Sequence, residues 1–313
     1  MKDKKVVSLI ASSTEIVCAL GLGERLVGRS HECDYPAWVK ELPLCTEAKL
    51  DVEGKSYEID QKVKEILQEG LSVYRVFADQ LNALKPDIIL TQIQCVVCAV
   101  SEKDVMDATC QLIDSRPEIV SLNTNTLDDL WKDIQRVADA LGDPDSGEQL
   151  IHKLHGRIRA IEEQVGATHA SPLQKPRVAF IEWVDPLMSC GNWMPTLVEK
   201  AGGINLFGEA GKHSPWMTWE ELKKSNPDII VVAPCGFDIA RTLKEMPALT
   251  NRPDWKELKA VKENQVYIAD GNQFFNRPGP RLVESLEILA EIFHPKTFHF
   301  KHEGSGWIRM KTL

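Results

Sequence analysis

No apolar run in this sequence approaches the roughly 20 residues that a bilayer-spanning helix needs. Clusters of Lys and Arg are missing too, and the formal charge is −9, which argues against a general nucleic-acid binder because phosphate neutralisation needs concentrated positive charge. Low-complexity segments are absent. So are the signatures of common enzyme sites: there is no Gly-x-Ser-x-Gly elbow, no Walker loop, no Gly-x-Gly-x-x-Gly after a strand and no His-Glu-x-x-His. No catalytic residue is therefore assigned, and a binding role is favoured over catalysis. The eight cysteines lack the spacing of a disulfide framework. Met1 and its lysines lead straight into an apolar run, with no room for the 7 to 15 or so apolar residues of a signal peptide. The expectation from these two features is a reduced, cytoplasmic protein.

What is present is the balance of an ordinary globular protein, with 27% charged and 43% apolar residues in 313, enough for two cores. The run Lys5 to Ile10 predicts a strand, Ala-Ser-Ser-Thr a helix N-cap, and the pattern through Val17 and Leu20 a helix closed by Gly21 and Gly23. The plan recurs as a strand at 177–181, a helix at 194–200 and the string Ala-Gly-Gly-Ile-Asn-Leu-Phe-Gly at 201–208. A second echo pairs Leu84-Lys-Pro-Asp-Ile-Ile-Leu with Ser225-Asn-Pro-Asp-Ile-Ile-Val, in which proline stops a helix and β-branched residues begin a buried strand. The fold class is α/β, with two similar lobes. The N-terminal lobe spans 1–126 with an insertion near 46–75. Helical periodicity at 127–141 and 148–165, then a linker to 176, forms a long bridge. The C-terminal lobe spans 177–313 and ends in a short tail from Phe298.

Several strings together resemble the cobalamin-binding members of the helical-backbone, periplasmic-binding-protein-like family: Val-Ser-Leu-Ile-Ala-Ser-Ser-Thr-Glu from Val7, Cys-Asp-Tyr-Pro at 33–36, Ala-Leu-Lys-Pro-Asp at 83–87, Ala-Gly-Gly-Ile-Asn-Leu-Phe at 201–207, Pro215-Trp216, and Arg277-Pro-Gly-Pro-Arg281. The resemblance covers roughly residues 5–295 and implies two lobes with a ligand cleft between them. It also implies an ABC-transporter partner, on which one acidic residue per lobe would dock; by position these are Asp79 and Glu220. Relatives take cobalamin, haem or ferric siderophores, so cobalamin is a candidate ligand rather than an assigned cofactor.

Ligands of α/β sheets sit at the carboxyl ends of strands, and the candidate residues come from the loops there. In the first lobe these are His31, Glu32 and Tyr35, with Gln94 further on. Cys33, Cys95 and Cys98 form a candidate metal or redox group, because a Cys-x-x-Cys at a helix start favours thiolates, or else they are small buried thiols. In the second lobe, Trp183, Trp193 and Trp216 offer flat apolar walls, and Trp216 matches an aromatic that lines the site in the family. Glu182, Asn192, Phe237, Asn272 and Arg277 complete the set. Phe274 and Phe275 sit on one segment, and alternation predicts that one of them faces the cleft. Trp219 and Trp255 fall in helical stretches and are assigned to the core. The leading reading is a binding protein that grips a bulky corrinoid or similar chelate. The alternative is a metalloprotein or thiol-dependent enzyme centred on His31, Cys33, Cys95 and Cys98.

Overall fold

The computed structural model describes residues 4–49, 54–68, 74–92, 116–168 and 175–311, which fall into two α/β units. Among these, the first unit takes the residues up to 54, 58–124 and 128–153, and the second takes 55–57, 125–127 and 154 onward.

The first unit is built on a parallel sheet of β1 (Val6–Ser8), β2 (Leu26–Arg29), β5 (Ile88–Gln92) and β6 (Glu118–Leu122), in the order β2-β1-β5-β6. All of β1 and β5 is buried, from their apolar starts to Ser8 and Thr91-Gln92 at their ends, as strands covered on both faces are. Helices α1 (Ala11–Ala19), α3 (Ala78–Leu84) and α4 (Leu127–Leu141) belong to it. Between β2 and α3, strands β3 (Thr46–Ala48) and β4 (Tyr74–Val76) pair antiparallel around helix α2 (Ser56–Gln68). In α4, Leu127, Leu130, Ile134, Val137, Ala138 and Leu141 are buried at intervals of three and four, one amphipathic stripe.

Helix α5 (Pro144–Thr168) starts in the first unit and ends in the second, where Leu154, Ile158, Ile161 and Val165 are its buried stripe. It begins four residues before the predicted start. Asp143 Oδ1 accepts from the Ser146 amide, and Pro144 presets the first helical φ, so only Gly142 and Asp143 form the break.

The second unit carries β7 (Arg177–Val184), β8 (Leu187–Ser189), β9 (Ile204–Asn205), β10 (Ile229–Val232), β11 (Val266–Ala269) and β12 (Trp307–Arg309). Its parallel part runs β9-β7-β10-β11, the same order as the first sheet; β8 flanks β7 and β12 flanks β11, both antiparallel. Helices α6 (Met194–Lys200), α7 (Trp219–Ser225), α8 (Ile239–Glu245), α9 (Pro247–Thr250), α10 (Lys259–Lys262) and α11 (Leu282–Phe293) accompany it.

The predicted repeat extends to single hydrogen bonds. Helices α3 and α7 are both seven residues long, and each ends on a left-handed residue, Lys85 or Asn226, followed by Pro-Asp. Asp87 Oδ2 then accepts from the Lys5 amide at 2.8 Å, and Asp228 Oδ2 accepts from the Arg177 amide at 2.8 Å. Each carboxylate thus fixes the register of the central strand, Val6 opposite Ile88 and Val178 opposite Ile229. Gly21 and Gly202 hold φ of 78° and 84° after α1 and α6, which a side chain would resist.

Two expectations need correction. Ala-Ser-Ser-Thr does not precede α1 but forms its first turn, because the N-cap is Ile10 and the hydroxyls bond inward. Residues 298–311 are not a tail. Phe298 and Trp307 are buried, Trp307 Nε1 donates to Glu291 at 2.9 Å, and β12 closes the edge of the sheet.

Candidate functional site

Strand β7 runs past the point where β1 stops, and turns at Asp185-Pro186 into β8. Trp183 is the cross-strand partner of Met188, and Met188 bridges Trp216 on the next segment, held by Met217 N–H to Leu187 O at 2.9 Å and Ser189 N–H to Pro215 O at 3.0 Å. Directly opposed residues of an antiparallel ladder share a face. Trp183, Met188 and Trp216 therefore form one row, whose outer member, Trp216, is 54% exposed. Phe237, in the loop after β10, packs on Trp183 at 5.1 Å between centroids, and the Arg241 guanidinium lies 4.8 Å from the Phe237 ring centre.

The loops at this edge are tied to one another. Cys235 N–H donates to Glu182 O at 3.2 Å, Asn272 N–H to Phe237 O at 3.1 Å, and Asn276 Nδ2 to Ala233 O at 3.2 Å. Gly271 lets the β11 loop close on β10, because a Cβ there would fall 2.1 Å from the Pro234 oxygen. Asp270 Oδ1 accepts from the amides of Asn272 and Gln273, and Arg277 donates to Asn272 Oδ1 at 2.8 Å. Burial raises the Asp270 pKa, and those two amides oppose the rise. Asn272 and Arg277 are half-buried polar groups beside the aromatic row.

Phe237 is itself only 8% exposed, and three more predicted ligand residues in this unit lie inside. Phe275 is 0% exposed, packs on Phe180 at 5.3 Å and holds φ of 64°; its segment is a turn rather than extended, so Phe274, under the Arg281 guanidinium, is the half-exposed one for a reason other than alternation. Trp193 is buried at the start of α6 and donates from Nε1 to Phe275 O at 2.7 Å. Glu182 is 7% exposed and sits at a bulge, where two steps along β7, Ile181 to Trp183, match one along β8, Ser189 to Met188. A bulge re-aims its side chain. Here the carboxyl accepts from Ser214 Oγ at 2.5 Å and from the Gly191 amide, and burial lifts its pKa to about 7 against those two bonds. Asn192 serves through its backbone, bonding Lys212 O at 2.6 Å and Gly211 N–H at 2.9 Å. Sequence reasoning missed Met188, Ser214 and Arg241. The spacing Val184-Asp-Pro-Leu187 is the signal that would have placed Met188 across a two-residue turn from Trp183.

At the edge of the first sheet, His31 Nδ1 lies 2.8 Å from Thr46 Oγ1 and its ring 5.2 Å from that of Tyr74, whose hydroxyl donates to Glu32 at 2.9 Å. Burial, then the Arg29 charge, lowers the His31 pKa. Tyr35 is 43% exposed. Cys33 is 1% exposed and its sulfur accepts from Thr14 Oγ1 at 3.0 Å; burial raises its pKa, so it is a core thiol rather than a solvent-reachable ligand. Gln94, Cys95 and Cys98 lie outside the described residues. Among the described residues no group of three or more His, Cys, Asp and Glu is placed to hold a metal ion. Asp79 and Glu220 are exposed at the second position of α3 and α7, and Glu220 pairs with Lys223 at 3.0 Å. Trp255 is buried as expected, while Trp219 is only partly buried and stacks on it at 6.3 Å.

Among the described residues no helix is long and apolar enough to cross a membrane. The chain is 28% identical over 301 residues to an uncharacterised ABC transporter substrate-binding lipoprotein of Bacillus subtilis, covering 95% of this chain and 82% of that one. It is 22% identical over 290 residues to a vitamin B12-binding protein of Vibrio cholerae, covering 91% and 87%. Among solved structures, a periplasmic heme binding protein from Pseudomonas aeruginosa matches with a TM-score of 0.69 at 20% identity, covering 94% of each chain. These relatives are periplasmic proteins or lipoproteins of ABC transporters, which overturns the cytoplasmic expectation drawn from the cysteines and the N-terminal lysines. Residues 6–272 match the family described as periplasmic binding protein, and the chain belongs to that family.

Proposed function

We propose that this protein is the substrate-binding component of an ABC importer and that its ligand is a bulky, flat, partly apolar chelate of the cobalamin or haem class. The observation that carries this reading is the row Trp183, Met188 and Trp216 with Phe237 against it. Trp216 and Trp183 at one strand edge present area suited to a macrocycle face, with the buried Phe237 backing Trp183, and covering a fully exposed ring contributes roughly 1.5–3 kcal/mol. Asn272 and Arg277 serve as polar groups that orient the ligand, and Phe274 adds a contact from the same loop. The names of the relatives, which bind vitamin B12 or heme, support this ligand class.

The test is a calorimetric titration of the purified protein with cyanocobalamin, haemin and a ferric hydroxamate. Cyanocobalamin or haemin is expected to bind with Kd of about 1 μM or tighter, roughly 8 kcal/mol, and to quench tryptophan fluorescence. Binding of both weaker than about 1 mM, whether or not the hydroxamate binds, overturns the ligand class.

Asp79 and Glu220 are proposed as the docking acids for the importer, since they occupy the same position of two equivalent helices and point to solvent. Asp79→Lys and Glu220→Lys are expected to abolish uptake in cells with ligand affinity unchanged. Normal uptake by the double variant rejects the assignment.

A further inference from the structure

Glu182 is a ligand candidate whose side chain turns inward from the aromatic row, yet it is bonded to the segment that carries the row's exposed end. Its carboxyl receives the Ser214 hydroxyl at 2.5 Å and the Gly191 amide. Ser214 lies two residues before Trp216. Segment 211–217 leans on the β8 loop through Gly211 N–H to Asn192 O, Asn192 N–H to Lys212 O and Ser189 N–H to Pro215 O. A Cβ on Gly191 would fall 2.4 Å from the Ser214 nitrogen and one on Gly208 would fall 1.9 Å from the Cys190 oxygen, so these backbones approach without side chains between them. The Glu182 bonds add a side-chain contribution on the Ser214 side of that junction, while Asn205 Nδ2 donates to the Phe207 and Gly208 oxygens on the other.

We infer that Glu182 is a positioning residue for the ligand site: a buried carboxyl, aimed inward by the β7 bulge, that latches the segment bearing Trp216 in line with Trp183 and releases it when it ionises. The inference rests on the proposed aromatic site. Both donors bond a carboxylate more strongly than the neutral acid, but burial outweighs them: a carboxylate in this position is desolvated and faces no cation among the described residues, so ionisation favours a state in which the carboxyl reaches water. The groups around it are Cys190, whose thiol donates to Asn205 and which burial keeps protonated; Cys235, bonded through its amide; Asp185 in the turn that follows β7; and Lys212 and His213 on the latched segment, with Lys212 paired to Glu209 and His213 Nδ1 3.0 Å from Ser214 O. Burial places the transition of Glu182 at about 7, so both states are populated near neutrality.

The first arm of the test uses the ligand-free protein. Acrylamide quenching of tryptophan fluorescence is measured from pH 5 to 9 in the wild type, Glu182→Gln, Glu182→Ala, Trp216→Phe and His213→Gln. Quenching is expected to rise with pH in the wild type and in His213→Gln. It is expected to stay at the acid-limb value in Glu182→Gln, to stay high in Glu182→Ala, and to lose its pH-dependent part in Trp216→Phe. A pH dependence that persists in Glu182→Gln, or that disappears in His213→Gln, overturns the inference.

The second arm titrates cyanocobalamin and haemin at both ends of that range. About tenfold weaker binding at pH 9 than at pH 5 is expected in the wild type and no change in Glu182→Gln, a factor of ten being about 1.4 kcal/mol. If neither ligand binds while the fluorescence transition follows Glu182, the ligand reading fails and the latch stands. If ligand binds with no Glu182-dependent pH profile in either arm, the latch fails and the ligand reading stands.

Discussion

Ser8 and Phe180 occupy the same place in the two units. Each lies two residues along a central strand from the position where an Asp carboxylate fixes the register, Val6 or Val178, with Ser8 opposite Leu90 and Phe180 opposite Val231. Around Ser8 the interior is a chain of hydroxyls: Ser8 Oγ lies 2.7 Å from Ser13 Oγ, Thr14 donates to Ser8 at 2.7 Å and also reaches Cys33. Around Phe180 it is aromatic, with Phe275 at 5.3 Å. The foundations of the two units are alike and their edges are not. After Ser8 the first chain turns into α1 within three residues, whereas after Phe180 the second continues through a bulge and a hairpin before α6 begins at Met194. The hairpin is what places aromatic side chains at the second edge.

That contrast can be broken in four ways. The largest effect belongs to Phe180→Ala, which removes a fully buried ring and is expected to cost about 3–5 kcal/mol in chemical denaturation, against about 1–2 kcal/mol for Ser8→Ala, which loses hydroxyl bonds only. Equal losses would mean that the two interiors are energetically interchangeable.

Next comes pH. The Glu182 pKa is raised from 4.5 to about 7, so the folded state holds its proton more tightly than the unfolded state. The stability it contributes is fully present below pH 4.5, declines as pH rises through 4.5 to about 7 and is gone above, a change of about 3 kcal/mol. Comparing denaturation of the wild type with that of Glu182→Gln should isolate this slope, and a second unit equally stable at pH 5 and 8 in the wild type would contradict it.

Third, Trp183→Ala is expected to weaken ligand binding by roughly 30- to 100-fold, about 2–3 kcal/mol, whereas Tyr35→Ala at the edge of the first sheet should cost less than about tenfold. Calorimetry that ranks them the other way would move the main binding face to the first unit. The smallest effect tests the shared foundation. Asp87→Asn and Asp228→Asn should each lower stability by about 1–2 kcal/mol, since each weakens a charge-assisted bond to a strand amide; Asp228 also pairs with Lys259 at 2.8 Å, so its loss should be the larger, and a larger loss at Asp87 would show that the clasps are not equivalent.

The repeat was legible because its parts are punctuation that chemistry forces: a proline that stops a helix, an aspartate beside it, a glycine where φ is positive. Helices α4 and α6 have their predicted bounds because the apolar period and the flanking glycine agree. The edge of the second unit was legible only by residue type. Trp183, Phe237 and Trp216 do lie there, but composition could not separate Trp216, out on the row, from Trp193, drawn inside by the Phe275 carbonyl. Glu182 looked like a ligand group because a strand of unknown length hides which way its last residues face, and one bulge reverses the answer. Strand β12 escaped notice because three residues give too short an alternation, while its anchors, Phe298 and Trp307, stand nine positions apart. Periodicity reports faces of regular elements and is silent on turns.

The bonds that run from loop to loop at the second edge, Cys235 to Glu182, Asn272 to Phe237 and Asn276 to Ala233, have a consequence for recognition. Loops held by one another rather than by water have already lost most of their conformational freedom before any ligand arrives. Their ordering is then charged to folding and not to binding, so affinity at this edge reflects the contacts themselves, and dissociation requires no unravelling of the loops that make them.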